Sequence, residues 1–385
     1  MTNLFDKAEE ARAKSQFETA RKTYQTLLRS KLFDEEKAEV LLGLADVERI
    51  RGYFPEALKH YKEAEKLFKG IDKTAVWDAQ VGWALSARAS GEPLKALRVL
   101  FKVLKQYQKQ KDKEGEAFTH WALGGTLRIA GDMKRGLKSL LRALSMFKQL
   151  KNEEGLAYTC CALGGIYRML GQYALSGKYY REANKRMRQR KDTFGIAYSY
   201  CGLGNVQRMA GRFKAALPFY KKAEKLYGTI GDRVSYAYTL WSIGTTYKML
   251  GRYEEAASFF FKADKLFIQT GDTRGRLYIR QGLGEIRLLA STESKIKTII
   301  RNYDNNPKNQ INSENFFWEN LHDKFLVNRV IFEIEKEISK FQNIKDAKPM
   351  SKVNKEWTDF LKTIKKLYQK AGSKFYPQTL PVNWP

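Results

Sequence analysis

The sequence predicts an all-α helical solenoid, and three observations carry the prediction. A glycine recurs at Gly52, Gly91, Gly131, Gly171, Gly211 and Gly251, at intervals of 39 and then 40 residues. Apolar residues on either side of it are spaced by three, four and seven, the period of a helix and not of a strand. Small residues interrupt both apolar stripes at matching places. A fixed internal period of this length is the mark of a stacked array of supersecondary units.

Each element follows from that period. Ahead of the glycine lies a first helix with a stripe such as Leu163, Gly164 and Tyr167. The glycine supplies the left-handed residue that ends it. A second helix follows, with an apolar residue at Phe54, Met133, Tyr173, Phe213 or Tyr253 and a small one at Ala57, Ala96, Gly136, Ser176, Ala216 and Ala256. A large residue comes next, at Tyr61, Leu100, Leu140, Tyr180, Tyr220 and Phe260, and then alanine at 64, 143, 183, 223 and 263. Gly-Asp pairs at 231–232 and 271–272 mark turns between repeats.

These residues resemble the tetratricopeptide repeat: a large residue, Leu-Gly, a turn glycine, then Ala, an aromatic and Ala on the second helix. Leu123-Gly124, Leu163-Gly164, Leu203-Gly204 and Ile243-Gly244 carry it. In a first, weaker copy Ser15 holds the turn, with Phe17, Ala20 and Tyr24 following; an eighth first helix keeps Leu283-Gly284 but has Ser291 at the turn. The resemblance covers about 1–290 and implies a right-handed solenoid of about seven repeats plus one helix. The 40-residue length is similar to the longer-helix branch of that family, found in scaffolds and bacterial peptide-responsive regulators. The chain divides accordingly into the array, 1–290, and a helical C-terminal extension, 291–385. The extension reads as an Asn-rich loop (301–315), two amphipathic helices and a tail containing Phe375, Tyr376, Pro377, Pro381 and Trp384. That tail is expected either to cap the array or to lie in its groove.

Lys and Arg outnumber Asp and Glu by 70 to 42, a net charge of +28, of which the array carries +22 and residues 291–385 carry +6. The excess favours an anionic partner. The charged first twenty residues hold no secretory apolar region, and no apolar run reaches the length of a membrane span. Cys160, Cys161 and Cys201 have no metal-like spacing and read as reduced packing residues. A cytoplasmic protein is expected.

On the first helix, the face opposite the Leu-Gly stripe is ordered by column. Phe118, Tyr158, Tyr198, Tyr238 and Tyr278 form the outermost column; Trp121, Cys161, Cys201 and Trp241 the next; then Gly125, Gly165, Asn205 and Thr245. Three residues before the turn glycine stand Arg49, Arg88, Arg128, Arg168, Arg208 and Lys248. In the family that face lines the concave groove where ligands bind. A cation in a helix's last turn also satisfies its terminal carbonyls, so the column reads either as capping or as an anion-binding strip. Only Asp46 and Glu285 place acids among it. The tyrosines read as edge packing or as plates for a ligand. The run Asn184–Asp192, with Lys185, Arg186, Arg188, Arg190 and Lys191, reads as a solvated helix end or an anion contact.

No catalytic constellation is legible. His60, His120 and His322 are scattered, Gly202-x-Gly204 lies within a helix, and no phosphate loop or nucleophile elbow is present. No cofactor and no metal are expected, and the chain is not read as an enzyme. In chaperone-binding members of the family, Lys and Asn grip a carboxylate; here Cys161, Cys201 and Trp241 fill the matching places and only Asn205 fits. The expectation is a protein-interaction scaffold. It would hold an acidic or extended segment with Arg128, Arg168, Arg208, Lys248, Tyr158, Tyr198, Tyr238, Trp121, Trp241 and Asn205. The alternative is single-stranded RNA, with bases on the tyrosines and phosphates on the cations.

Overall fold

A computed structural model describes residues 2–289, 298–299 and 302–303. Among them lie fifteen helices in seven pairs and a single last helix. The pairs are α1 (Thr2–Ala13) with α2 (Phe17–Leu27), α3 (Asp34–Arg51) with α4 (Phe54–Phe68), α5 (Lys73–Ala89) with α6 (Pro93–Gln110), and α7 (Lys113–Ile129) with α8 (Met133–Gln149). Then come α9 (Glu153–Met169) with α10 (Tyr173–Gln189), α11 (Thr193–Met209) with α12 (Phe213–Ile230), α13 (Arg233–Met249) with α14 (Tyr253–Thr270), and α15 (Thr273–Leu289). No strand occurs among the described residues. The chain forms the all-α solenoid expected from the period.

Two local devices punctuate each repeat. At the turn within a pair the glycine is left-handed, as at Gly171 with φ +72°, and Ser15 takes the same conformation in the first repeat with φ +58°. At the turn between pairs an acid or amide caps the next helix. Asp112, Asn152, Asp192, Asp232 and Asp272 each accept a hydrogen bond from the backbone N–H three residues on, at 2.7–3.0 Å. The residue before that cap is also left-handed. It is Gly231 or Gly271 late in the array but Lys111, Lys151 or Lys191 earlier.

Packing within a pair depends on rings seated on Leu-Gly. A Cβ on Gly164 would lie 2.7 Å from the ring of Tyr180, a contact no side chain tolerates, so glycine lets α9 and α10 close up. Burying each such ring stabilises by about 1.5–3 kcal/mol.

The odd-numbered helices pack against one another from repeat to repeat, and the even-numbered ones cover them from outside. The odd helices therefore form the inner, concave layer. The superhelix is tight enough to close on itself, since α3 lies against α13, five repeats on. At this seam Phe17 meets Phe194 edge-on at 6.0 Å, and the Phe194 N–H donates to Ser15 Oγ at 3.3 Å. Arg233 Nε donates to the Arg51 carbonyl at 3.3 Å, while Arg21 and Arg233 each lie over the Tyr53 ring, at 4.3 and 4.1 Å. No single-helix pattern announces such contacts.

Asn302 and Tyr303, expected in a loop, are helical, and the Tyr303 ring stacks on Phe261 at 4.3 Å. The two predicted amphipathic helices and the Pro/aromatic tail lie outside the described residues. Among the described residues no helix is long and apolar enough to cross a membrane.

Candidate functional site

The cation column runs along the inner layer, each member in the last turn of an odd helix, and its ends differ from its middle. At the N-terminal end Arg49 Nη2 donates to Asp46 at 3.0 Å and Arg49 Nε donates to the Tyr61 hydroxyl at 3.1 Å. At the C-terminal end Lys248 Nζ meets Glu285 at 2.5 Å, both side chains fully enclosed. The two acids that the sequence places in this face are thus the two that neutralise cations. Arg208 repeats the Arg49 arrangement with an amide: Nε donates to the Tyr220 hydroxyl at 3.2 Å and Nη2 donates to Asn205 Oδ1 at 3.3 Å. Burial, and after the tyrosine contacts the nearby Arg168, hold its guanidinium below the usual range.

Arg128 and Arg168 break the pattern. The position three residues earlier, which supplies an oxygen at Asp46 and Asn205, is Gly125 for Arg128 and Gly165 for Arg168. Arg168 is 8% exposed, and its Nε and Nη1 are buried with no hydrogen-bond partner. Among the described residues no carboxylate pairs with either guanidinium. Arg128 leans over the next inner helix, its Nε within 3.8 Å of where a Cβ on Gly165 would stand. The same point is 3.5 Å from the Tyr180 hydroxyl. Burial raises the Tyr180 phenol, and the charges of Arg168 and Arg128 oppose that rise.

The other predicted residues divide. Tyr158 Oη donates to Asp192 and Tyr238 Oη donates to Asp272, both at 2.7 Å, so these phenols bind the caps of the next inner helices. Tyr198 instead keeps about a third of its surface open. Burial pushes its phenol up, and the charges of Arg128 and Arg88 act against that rise. Trp241 is buried, stacked on Tyr278 at 5.2 Å with Arg208 above it at 5.4 Å. Trp121 is half-buried and stacks on Phe118 at 5.3 Å. Asn205 Oδ1 also accepts from Tyr220 and Ser242, at 2.8 and 3.1 Å. Arg128, Arg168 and Tyr198 thus make no side-chain hydrogen bond or ion pair among the described residues, whereas Arg208, Lys248, Asn205 and Trp241 are engaged within the fold.

Tyr180 belongs to this group and was read from the sequence as core alone. The signal lay in comparing two columns: Tyr61 and Tyr220 each receive the Nε of their repeat's arginine, and Tyr180 stands in the same place beside Arg168.

The thiols are packing groups. Cys160 and Cys161 are buried, Cys201 is half-buried and all three are free. Burial pushes the Cys160 thiol up to about 11. The basic run near residue 190 is partly paired: Arg186 with Glu153 and Glu182, and Arg190 with Glu154. Burial lowers His120, whose Nε2 is 3.9 Å from Glu116. Among the described residues no three His, Cys, Asp or Glu side chains converge as metal ligands.

A solenoid of two-helix repeats, with small residues between paired helices and one inner layer, is an α-solenoid of the tetratricopeptide kind. Residues 5–70 and 154–229 match family models of the tetratricopeptide repeat. The chain is a tetratricopeptide repeat protein. No curated protein matches it. Among solved structures it is similar to a Rap protein complexed with competence and sporulation factor, at TM-score 0.60 and 11% identity, covering 96% of this chain and 98% of that one. It is also similar to NprR in complex with its cognate peptide NprX, at TM-score 0.54 and 14% identity, covering 88% and 98%. The apo form of RapI matches at TM-score 0.51 and 16% identity, covering 69% and 98%. At these identities the likeness is one of fold.

Proposed function

We propose that this chain is a non-enzymatic protein-interaction scaffold whose inner face holds an extended, acidic peptide segment. One observation carries the reading: Arg168 is buried with Nε and Nη1 bare, where Arg49 and Arg208 have an oxygen from Asp46 and Asn205. A buried donor without an acceptor costs about 1–3 kcal/mol. A carboxylate arriving over Gly165 would supply the missing oxygen and meet Arg128 at the same point. Charge-assisted bonds of this kind are among the stronger ones available. The solved NprR relative, crystallised with a peptide, is consistent with this use of the fold.

RNA in the same groove is the weaker reading. Tyr158 and Tyr238 spend their hydroxyls on the caps of neighbouring helices, and Trp241 is enclosed, so the exposed rings of the aromatic ladder it needs are reduced to Phe118 and Tyr198. Selection from a random peptide library on the immobilised full chain tests the proposal. An enriched motif with Asp or Glu at a fixed place is the expected result. Selection that yields no acidic position contradicts it.

A further inference from the structure

The structure separates the chain's charge by layer. The outer helices α6 and α8 each carry five Lys or Arg and no acid, α10 carries five against one, and α12 four against one, a net +17. The inner helices of the same repeats, α5, α7, α9 and α11, carry a net +1. The basic excess visible in the sequence therefore belongs mainly to the convex surface and not to the groove.

On that surface the cations form rows that cross from repeat to repeat. One row is Lys102, Arg142, Lys222 and Lys262, interrupted by Glu182; the other is Lys105, Lys185, Lys225 and Lys265, interrupted by Ser145. All eight cations are exposed. Arg142 approaches Glu116 at 3.8 Å, and among the described residues none of the other seven has an ion pair. Rows of like charge with so few ion pairs repel along their length and raise the local concentration of a polyanion.

We propose that the outer face of α6–α14 is a docking surface for single-stranded nucleic acid, held through its phosphates. The rows follow a convex path over five successive outer helices. A flat bilayer touches only a few helices of such a surface. A duplex, with a persistence length of about 50 nm, resists bending around it. A single strand follows it. The row positions themselves are cationic and hold no aromatic residue, so phosphates carry the contact and the surface takes DNA and RNA alike.

The test is fluorescence anisotropy of the full chain with labelled oligo(dT) and oligo(U) of equal length. The expected result is binding of both, within about threefold of each other, because phosphates carry the contact. Between about 50 and 200 mM salt the affinity should fall on the order of 100-fold if about five phosphates are neutralised. A triple variant, Lys102→Glu, Lys222→Glu and Lys225→Glu, changes only exposed side chains. It should keep the wild-type helical melt and bind at least about tenfold more weakly with a shallower salt slope. Arg168→Met, in the groove, should bind as wild type does. Absent binding at low salt, binding indifferent to the triple variant, or binding lost with Arg168→Met would each overturn the proposal. Phe101 and Leu141 stand exposed beside Lys102 and Arg142. Vesicles containing phosphatidylserine are therefore the control, and binding to these with none to the oligonucleotides would also overturn it.

Discussion

Lys248 and Glu285 meet at 2.5 Å with 2% and 0% of their side chains exposed, joining the last complete repeat to α15. Burial lowers the Lys248 ammonium and Glu285 opposes that effect. Removing one member leaves the other charged, enclosed and short of its partner. Glu285→Ala should destabilise the array by about 3–5 kcal/mol. Replacing the pair, with Lys248→Met and Glu285→Leu, should recover most of that loss. Urea denaturation followed by circular dichroism distinguishes the two.

Arg168 presents the opposite case. Its buried Nε and Nη1 lack acceptors, so the native side chain is a cost to the fold. Arg168→Met keeps the apolar stem of the side chain and removes the donors, and should stabilise by about 1–3 kcal/mol. A melting temperature unchanged or lowered in Arg168→Met would show that the guanidinium is satisfied in solution.

Asp232 gives the seam a pH dependence. Burial raises it from 3.8 to about 6, against the hydrogen bond from Ser235 and the charge of Arg51. A group raised in the folded state contributes fully below its unfolded value, so its contribution is present below about pH 4 and is lost as pH rises through about 6. Asp232→Asn retains the cap, as Asn152 shows at the equivalent place. The variant should match the wild type near pH 4 and exceed it by up to about 3 kcal/mol near pH 8. Denaturation midpoints across that range measure the difference.

Lys151 is left-handed, with φ +54°, in the turn where Gly231 and Gly271 stand in later repeats. A side chain in that region costs about 1–2 kcal/mol relative to glycine, partly offset by glycine's greater freedom when unfolded. Lys151→Gly should therefore stabilise by about 0.5–1 kcal/mol, which thermal melting resolves.

The repeat, its turn glycines and its paired helices were legible because each arises from contacts within one 40-residue unit. The left-handed Ser15, which has no glycine to announce it, was found from its place in the period. What joins distant units was not legible. The seam between Phe17 and Phe194 depends on how tightly the superhelix winds, and that is the sum of small rotations in every repeat. The cation column was visible, but its members look alike in sequence. Arg168 differs from Arg49 and Arg208 only through Gly165, whose meaning appears when the missing oxygen of Asp46 or Asn205 is seen in place. The charge excess was counted correctly for the array, and only the separation into inner and outer helices locates it.

Gly165 leaves open a place for a partner's carboxylate between Arg168 and Arg128 in the proposed complex. Gly165→Asp would fill that place from within, and a Cβ there meets only ordinary contacts, the nearest at 3.5 Å. The decisive measurement is the affinity of a library-selected acidic peptide for wild type and for Gly165→Asp, by calorimetry. The variant should be at least as stable as wild type and bind the peptide about ten- to a hundredfold more weakly. Equal affinity in the two proteins would contradict the proposed complex.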